Sequence, residues 1–234
     1  MSIFVIADLH LSFGTNKPMD IFGDNWANHD KKIAEDWRNK VNNDDLVVLP
    51  GDFSWAMKLE DTKQDFEYLN SLPGKKLLLK GNHDYWWTTL SKMRTFLKDN
   101  NFEGIDFIQN NFYEFEGKII TGVHGWEING APEDVRILRR EHLRLQMELE
   151  QIVKQYGQEK EIIVFMHYPP YEKYENKVKN PYAELLGNYN VKKCYYGHLH
   201  GEQVYGDIED YELYGIKYAL ISADYLDFKL RVIE

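Results

Sequence analysis

Short apolar runs alternate with amphipathic stretches along this chain, a pattern that predicts strands and helices in turn and so an α/β class. Residues 2–7 read as a buried strand, Ile3 to Ala7, stopping at Asp8. Residues 28–41 read as a helix, with Ile33, Trp37 and Val41 at near-helical spacing. Leu46 to Leu49 is a short strand ending at Pro50-Gly51; residues 60–71, with Phe66 and Leu69 on one face, read as a helix. Leu77 to Leu79 is a strand ending at Gly81, and residues 86–99 read as a further helix. From 106 to 122 the apolar runs shorten and look like strands. The clearest helix spans 133–156, with Val135, Leu138, Leu145, Leu149 and Ile152 on one stripe and Glu133 and Asp134 in the first turn. His142 falls on that stripe and reads as a packing residue. Ile162 to Met166 and Lys193 to Tyr196 are strands, and in the tail beyond Val204 the best strand candidates are Ile216 to Ile221 and Phe228 to Ile233.

Five of these strands end on polar clusters: ADLH, PGD, KGNHD, MHYPP and YGHLH. In open α/β sheets the loops beyond the strand C-termini converge and bind ligands. Groups far apart in sequence can therefore meet there. Asp8-x-His10 and His198-x-His200 pair two polar residues two positions apart, which in an extended segment point to the same side. Asp52 follows Gly51 and Asn82 follows Gly81, where glycine allows a sharp turn and a close approach. The donors are nitrogen and oxygen only, a set that suits divalent manganese, iron, zinc or nickel better than magnesium or calcium. Asp8, His10, Asp52, Asn82, His167, His198 and His200 are too many for one four-coordinate ion and about right for two metal ions sharing a carboxylate.

Composition narrows the partners. With 234 residues and neither internal repeat nor low-complexity linker, a single domain over residues 1–234 is expected. Net charge is −10, which disfavours nucleic acid and anionic membrane as non-specific partners, although metal ions can reverse the sign of a site locally. The lone cysteine, Cys194, forms no internal disulfide and reads as a buried thiol. The start is too briefly apolar for a signal peptide, and no stretch approaches the ~18 apolar residues of a membrane span, so the cytoplasm is the default compartment.

The ordered series Asp8-x-His10, Gly51-Asp52, Gly81-Asn82-His83-Asp84, His167 and Gly197-His198-x-His200 resembles the calcineurin-like metallophosphoesterase superfamily. Single elements are weak; five in order, each after a strand, are specific. The resemblance implies a four-layer α/β/β/α sandwich of two mixed β-sheets flanked by helices. It implies that Asp8, His10 and His200 hold one metal ion, that Asn82, His167 and His198 hold a second, and that Asp52 bridges them. It further implies hydrolysis of a phosphate ester by a metal-activated hydroxide, with His83 facing the substrate as acid or cation. Asp84 is expected either to cap its loop or to hold the His83 imidazole.

Phosphoprotein phosphatases of this superfamily carry an Asp and an Arg shortly after the bridging Asp, where this chain has Trp55 and Ala56. That argues for a small or nucleotide-sized phosphorylated substrate. A nuclease, or a protein-binding scaffold without turnover, are the alternatives. Arg94, Arg136, Arg139 and Arg140 are candidate phosphate clamps, with exposed surface the preferred reading for each. Trp26, Trp55, Trp86, Trp87, Trp126, Tyr85, Tyr168 and Tyr171 lie near the motifs, and core filling is preferred over walling the site. His124 reads as packing and His29 as surface; residues 11–27, with Lys17, Asp20 and Asp24, read as a rim or lid, or equally as a plain surface loop.

Overall fold

A computed structural model describes residues 1–127, 131–174, 177–205 and 208–233. In its first half β1 (Ile3–Val5), α1 (His29–Lys40), β2 (Leu46–Pro50), α2 (Lys63–Asn70), β3 (Lys75–Leu79), α3 (Leu90–Asp99) and β4 (Ile105–Phe107) alternate. Then follow β5 (Tyr113–Phe115), β6 (Lys118–Val123), α4 (Pro132–Tyr156), β7 (Ile162–Met166), the hairpin β8 (Glu172–Tyr174) and β9 (Lys177–Lys179), and α5 (Ala183–Gly187). The chain closes through β10 (Val191–Tyr196), α6 (Glu202–Tyr205), β11 (Tyr211–Leu213), β12 (Ile216–Leu220) and β13 (Arg231–Ile233).

One sheet has the order β13-β1-β2-β3-β4, with β13 antiparallel and the others parallel. The other runs β11-β12-β10-β7-β6-β5, a parallel centre between antiparallel edges. Strands buried on both faces are apolar throughout, as Leu46–Pro50 and Ile162–Met166 are. Val5, Val48 and Leu77 of the first sheet pack on Ile163, Phe165 and Ala219 of the second. On the outer face of the first sheet lie Ile33, Trp37, Phe66, Leu69, Met93 and Leu97 from α1, α2 and α3; on that of the second lie Leu145, Leu149 and Ile152 from α4. The fold is thus the expected four-layer α/β/β/α sandwich of two mixed sheets flanked by helices. No described helix is long and apolar enough to cross a membrane.

Several boundaries differ from expectation, each for a local reason. The helix expected over 86–99 starts at Leu90, because the Thr89 side chain caps it and the Trp86 indole is drawn into the preceding loop by Asp84. The stretch 60–71 begins as a 3₁₀ turn, Leu59–Thr62, before α2. Asp227 and Phe228 are left-handed (φ 52° and 57°), so the last strand starts only at Arg231. The α4 stripe is shorter than its pattern, for Val135 is 60% exposed. His142 packs on the Tyr182 ring, and Cys194 is a buried thiol, both as expected.

Candidate metal centre

Backbone hydrogen bonds tie the loop beyond β1 to that beyond β2, and the loop beyond β10 to that beyond β7, while carboxylates of Asp52 and Asp84 tie in the loop beyond β3. Asp8 N–H donates to Gly51 O (3.0 Å), His10 N–H to Asp52 O (2.9 Å) and Gly197 N–H to His167 O (3.1 Å). Asp8, His10, Asp52 and His198 take left-handed backbone at φ 62°, 46°, 52° and 74°. Each such non-glycine residue costs on the order of 1 kcal/mol and persists only where its surroundings hold it. The Asp8-x-His10 and His198-x-His200 pairs are therefore not extended, as the spacing argument assumed; sharp turns aim their side chains. Two glycines make room. A Cβ on Gly81 would lie 2.1 Å from Asp52 Oδ1, and one on Gly197 would lie 2.5 Å from Asp8 Oδ2.

All seven sequence-predicted donors converge. Asp8, His10 and His200 each bring a ligand atom within 4.8 Å of the others, as do Asp8, Asp52 and His167, so either trio could hold an ion. His10 Nε2 and His200 Nε2 face each other at 3.3 Å. Asn82 Oδ1 lies 2.6 Å from His167 Nε2 and 2.9 Å from His198 Nδ1. His198 and His200 thus turn to different groups. Two imidazoles are fixed from behind: His167 Nδ1–H donates to Pro50 O (3.2 Å) and His200 Nδ1–H to Asp224 Oδ1 (2.8 Å). In each it is Nε2 that faces the cluster, the atom that a metal ion would take once its proton is displaced, with the other nitrogen held as is usual behind a metal-bound histidine.

The electrostatics are those of an acidic pair without solvent. Burial raises Asp52, and the neighbouring Asp8 charge adds to the shift. Asp8 itself is held well below the carboxylate range: burial opposes this, but His200 and His167 outweigh it. Burial also works against His200, yet Asp8 and Asp224 carry it up to about 10. A cation among these groups would relieve the repulsion between the two carboxylates.

The Asp84 carboxylate is fully buried and accepts from the N–H groups of Asp52 (2.9 Å), Phe53 (3.0 Å), Ser54 (3.2 Å) and Gly81 (2.7 Å) and from the Trp86 indole (2.9 Å). It positions the two loops that carry Asp52 and Asn82. With its oxygens so engaged it caps its loops and does not hold the His83 imidazole; of the two readings the loop cap is the one the hydrogen bonds follow. The His83 N–H donates to Asp52 Oδ1 (2.8 Å), its ring packs on Trp55 at 4.4 Å, and its Nδ1 is buried without a hydrogen bond. Burial pushes His83 down to about 4, and Lys17 adds to the effect.

Residues 1–202 match the family model of calcineurin-like phosphoesterases. The chain belongs to that family. Among solved structures, this calcineurin-like phosphoesterase resembles the TT1561 protein of Thermus thermophilus (TM-score 0.62, 14% identity, 99% of this chain and 97% of the other). It also resembles a phosphopantetheinyl hydrolase from Mycobacterium tuberculosis (0.59, 14%, 99% and 95%) and an Aquifex aeolicus protein of unknown function (0.50, 19%, 99% and 95%). At such identities the likeness is one of fold. No curated protein matches the chain significantly.

Around the centre of this phosphoesterase other expectations are redistributed. Trp86 and Trp26 are core as expected, although Trp26 also lies edge-on to His10 and His200; Trp55 is only partly buried and stacks on His10 (4.8 Å, 20°). Trp26 and Trp55 both wall a pocket of about 700 Å³ that is also lined by His10, His83 and His200. Met19, Phe22 and Asn25 join that wall from segment 11–27, which is thus a rim, while residues 201–205 and Asp224 line the opposite part. His29 is buried, not on the surface, because its ring nitrogens bond Trp26 O and Leu9 O. His124 borders the centre, stacked on His167 at 5.7 Å and 4°. Arg94 is tied to Asp106 at 2.8 Å on the surface, and Arg140 and Arg144 flank Glu141. Arg136 and Arg139 are exposed. The cation that His83 feels is Lys17, whose ammonium sits 3.0 Å from the Trp55 centroid. Sequence reading missed Asp224. It follows the apolar run Ile216 to Ile221, a sixth strand ending in a polar group, and it lies beyond the family match.

Proposed function

We propose that this chain hydrolyses a small or nucleotide-sized phosphate ester at a pair of divalent metal ions. The observation that carries this reading is the placement of one carboxylate. Asp52 Oδ2 is 3.6 Å from His10 Nε2, and Asp52 Oδ1 is 3.6 Å from His167 Nε2. A ligand shared by two ions must face both groups of donors in this way. In this reading Asp8, His10 and His200 hold one ion, Asn82, His167 and His198 hold the other, and Asp52 bridges.

The donor set fits: imidazole nitrogens, carboxylates and an amide oxygen, with two imidazoles held through Nδ1 so that Nε2 faces the cluster. Bound ions of this kind make water nucleophilic near neutral pH and offset phosphoryl charge. The protein's own groups do the rest. Asp84 holds the Asp52 and Asn82 loops in register. His83 stands at the pocket wall, where its ring N–H can be offered to the leaving oxygen. Lys17 adds positive charge on the same side, and Trp55 shields His10 and His83 from water.

Metal analysis and a panel of monoesters and diesters, assayed with manganese, iron and zinc, test this together with Asp52→Asn. Two ions per wild-type chain, turnover of at least one small ester, and weakened retention of both ions in the variant are expected. Two tightly held ions in Asp52→Asn would remove the bridging role. Bound metal without turnover of any ester would remove the hydrolase reading.

A further inference from the structure

A second pocket, of about 470 Å³, lies on the His167 flank of the centre and is lined there by His124. It shares no lining residue with the pocket that His83 lines. Its charged groups are Lys80, just beyond β3, and Arg140, Glu141 and Arg144 of α4. Glu141 is buried, and its Oε1 meets both guanidiniums, Arg144 at 2.6 Å and Arg140 at 3.5 Å. One carboxylate thus answers two arginines, and Lys80 has no acidic partner among the described residues. In a chain of net charge −10, three cations against one carboxylate make a local positive site. Burial holds His124 well below the ordinary histidine value, and the charges of His167, Lys80, His198 and Arg140 add to this, so both cations lie near the ring. The neutral groups are also suited to an anion. His124 Nε2 is buried without a hydrogen bond, which costs stability until a ligand engages it. Gln109 Oε1 accepts from the Trp87 indole (3.1 Å), which leaves the Gln109 NH2 group to donate. Thr89, which caps α3, lines the pocket and sets the positive end of that helix dipole at its edge. Ammonium, guanidinium and N–H donors around one cavity match the several acceptor oxygens of a phosphate group.

We propose that this pocket binds a second phosphate group of the substrate, one that is not cleaved, through Lys80, Arg140 and His124. The inference rests on the hydrolase reading for the role of that group, whereas the anion site itself is tested by binding alone. Since no residue lines both pockets, the uncleaved phosphate lies apart from the leaving oxygen that His83 faces.

Equilibrium dialysis of inorganic phosphate against metal-loaded enzyme is expected to find two phosphates per chain, one at the ions and one in this pocket. The double variant Lys80→Gln, Arg140→Gln is expected to keep its metal and to bind a single phosphate. Both side chains are exposed and Arg144 stays on Glu141, so α4 keeps its packing in the variant. Calorimetry then separates a substrate's second phosphate from free phosphate. Its probes are the alkane diphosphonates from ethane to hexane, each against its monophosphonate; their carbon–phosphorus bonds are not esters and are not hydrolysed. At the chain length that spans the two sites the diphosphonate is expected to bind about tenfold or more tightly, the usual worth of charge-assisted hydrogen bonds, and the double variant is expected to lose most of that advantage. Two bound phosphates without any diphosphonate advantage assign the pocket to free phosphate and overturn the substrate role. A second phosphate that survives the double variant, or that is absent from the wild type, overturns the site and leaves the hydrolase reading intact. Turnover of no ester, alongside a second phosphate that depends on Lys80 and Arg140, upholds the anion site and counts against the hydrolase reading.

Discussion

His83 is held by its neighbours' shapes rather than by a hydrogen bond to its ring. Its backbone is pinned to Asp52, its ring leans on Trp55, and its Nδ1 has no partner. Replacing it should therefore disturb chemistry more than architecture. In His83→Asn both metal ions are expected to remain, with turnover lowered by ~10²–10⁴-fold, the usual worth of a positioned acid or base. If the imidazole protonates the leaving oxygen, the loss shrinks for nitrophenyl esters, which need little protonation. An equal loss for good and poor leaving groups assigns its neutral N–H a hydrogen bond to the phosphoryl oxygens instead, and loss of metal would make it a ligand. The candidate donors were legible because each stands at the end of an apolar strand, where chain direction alone decides the meeting place. Asp84 and His29 were less so: their roles come from N–H and carbonyl groups of loops that only the folded backbone brings near. Trp55 was misjudged for a similar reason, since its ring partners His10 and Phe22 lie on other turns of the fold.

Among elements, α4 and β6 meet at a buried polar contact that the helix pattern did not announce. Thr121 Oγ1–H donates to Glu148 Oε2 (2.5 Å), while Glu148 Oε1 is buried without a hydrogen bond. Burial pushes Glu148 up to about 8, outweighing the Thr121 hydroxyl, and the Glu141 charge adds to the rise. The folded state thus prefers the protonated acid more than the unfolded chain does. Its contribution is fully present below the ordinary glutamate value of 4.5 and is lost as pH rises towards 8. Chemical denaturation between pH 4.5 and 8 should show stability falling by on the order of a few kcal/mol from this group, and Glu148→Gln should flatten that slope. An identical slope in the variant would mean that Glu148 ionises in place without penalty. The same elements show what periodicity can and cannot reveal. Strand cores and the α4 stripe from Leu145 onward were plain, because one side must be apolar wherever layers pack. Helix starts and left-handed turns were not. Thr89 acts through one side-chain cap, and Asp227 and Phe228 through single backbone torsions; neither leaves an apolar rhythm.

Across the molecule, the proposed ligands are divided between the layers. Asp8, His10, Asp52 and Asn82 follow strands of the first sheet, whereas His167, His198 and His200 follow strands of the second. Metal binding should accordingly fasten one sheet to the other at their C-terminal edge. At a thousandfold excess over Kd a ligand adds about 4 kcal/mol, which for a chain of this size is roughly 10 °C in Tm. A scan with and without chelator should show a drop of that order in the wild type and little in Asp52→Asn. A Tm indifferent to chelator in the wild type would mean that the ions do not join the layers. The division also sets a timetable for a chain emerging from the ribosome. The first four ligands are synthesised long before the last three, so a nascent chain that stops short of His167 holds only fragments of the centre. The edge strand β13, which completes the first sheet beside β1, comes later still. If the proposed ligand set holds, loading with metal waits on translation having passed His200, and a product stalled earlier lacks the full grip needed to withdraw ions from the cell's pool.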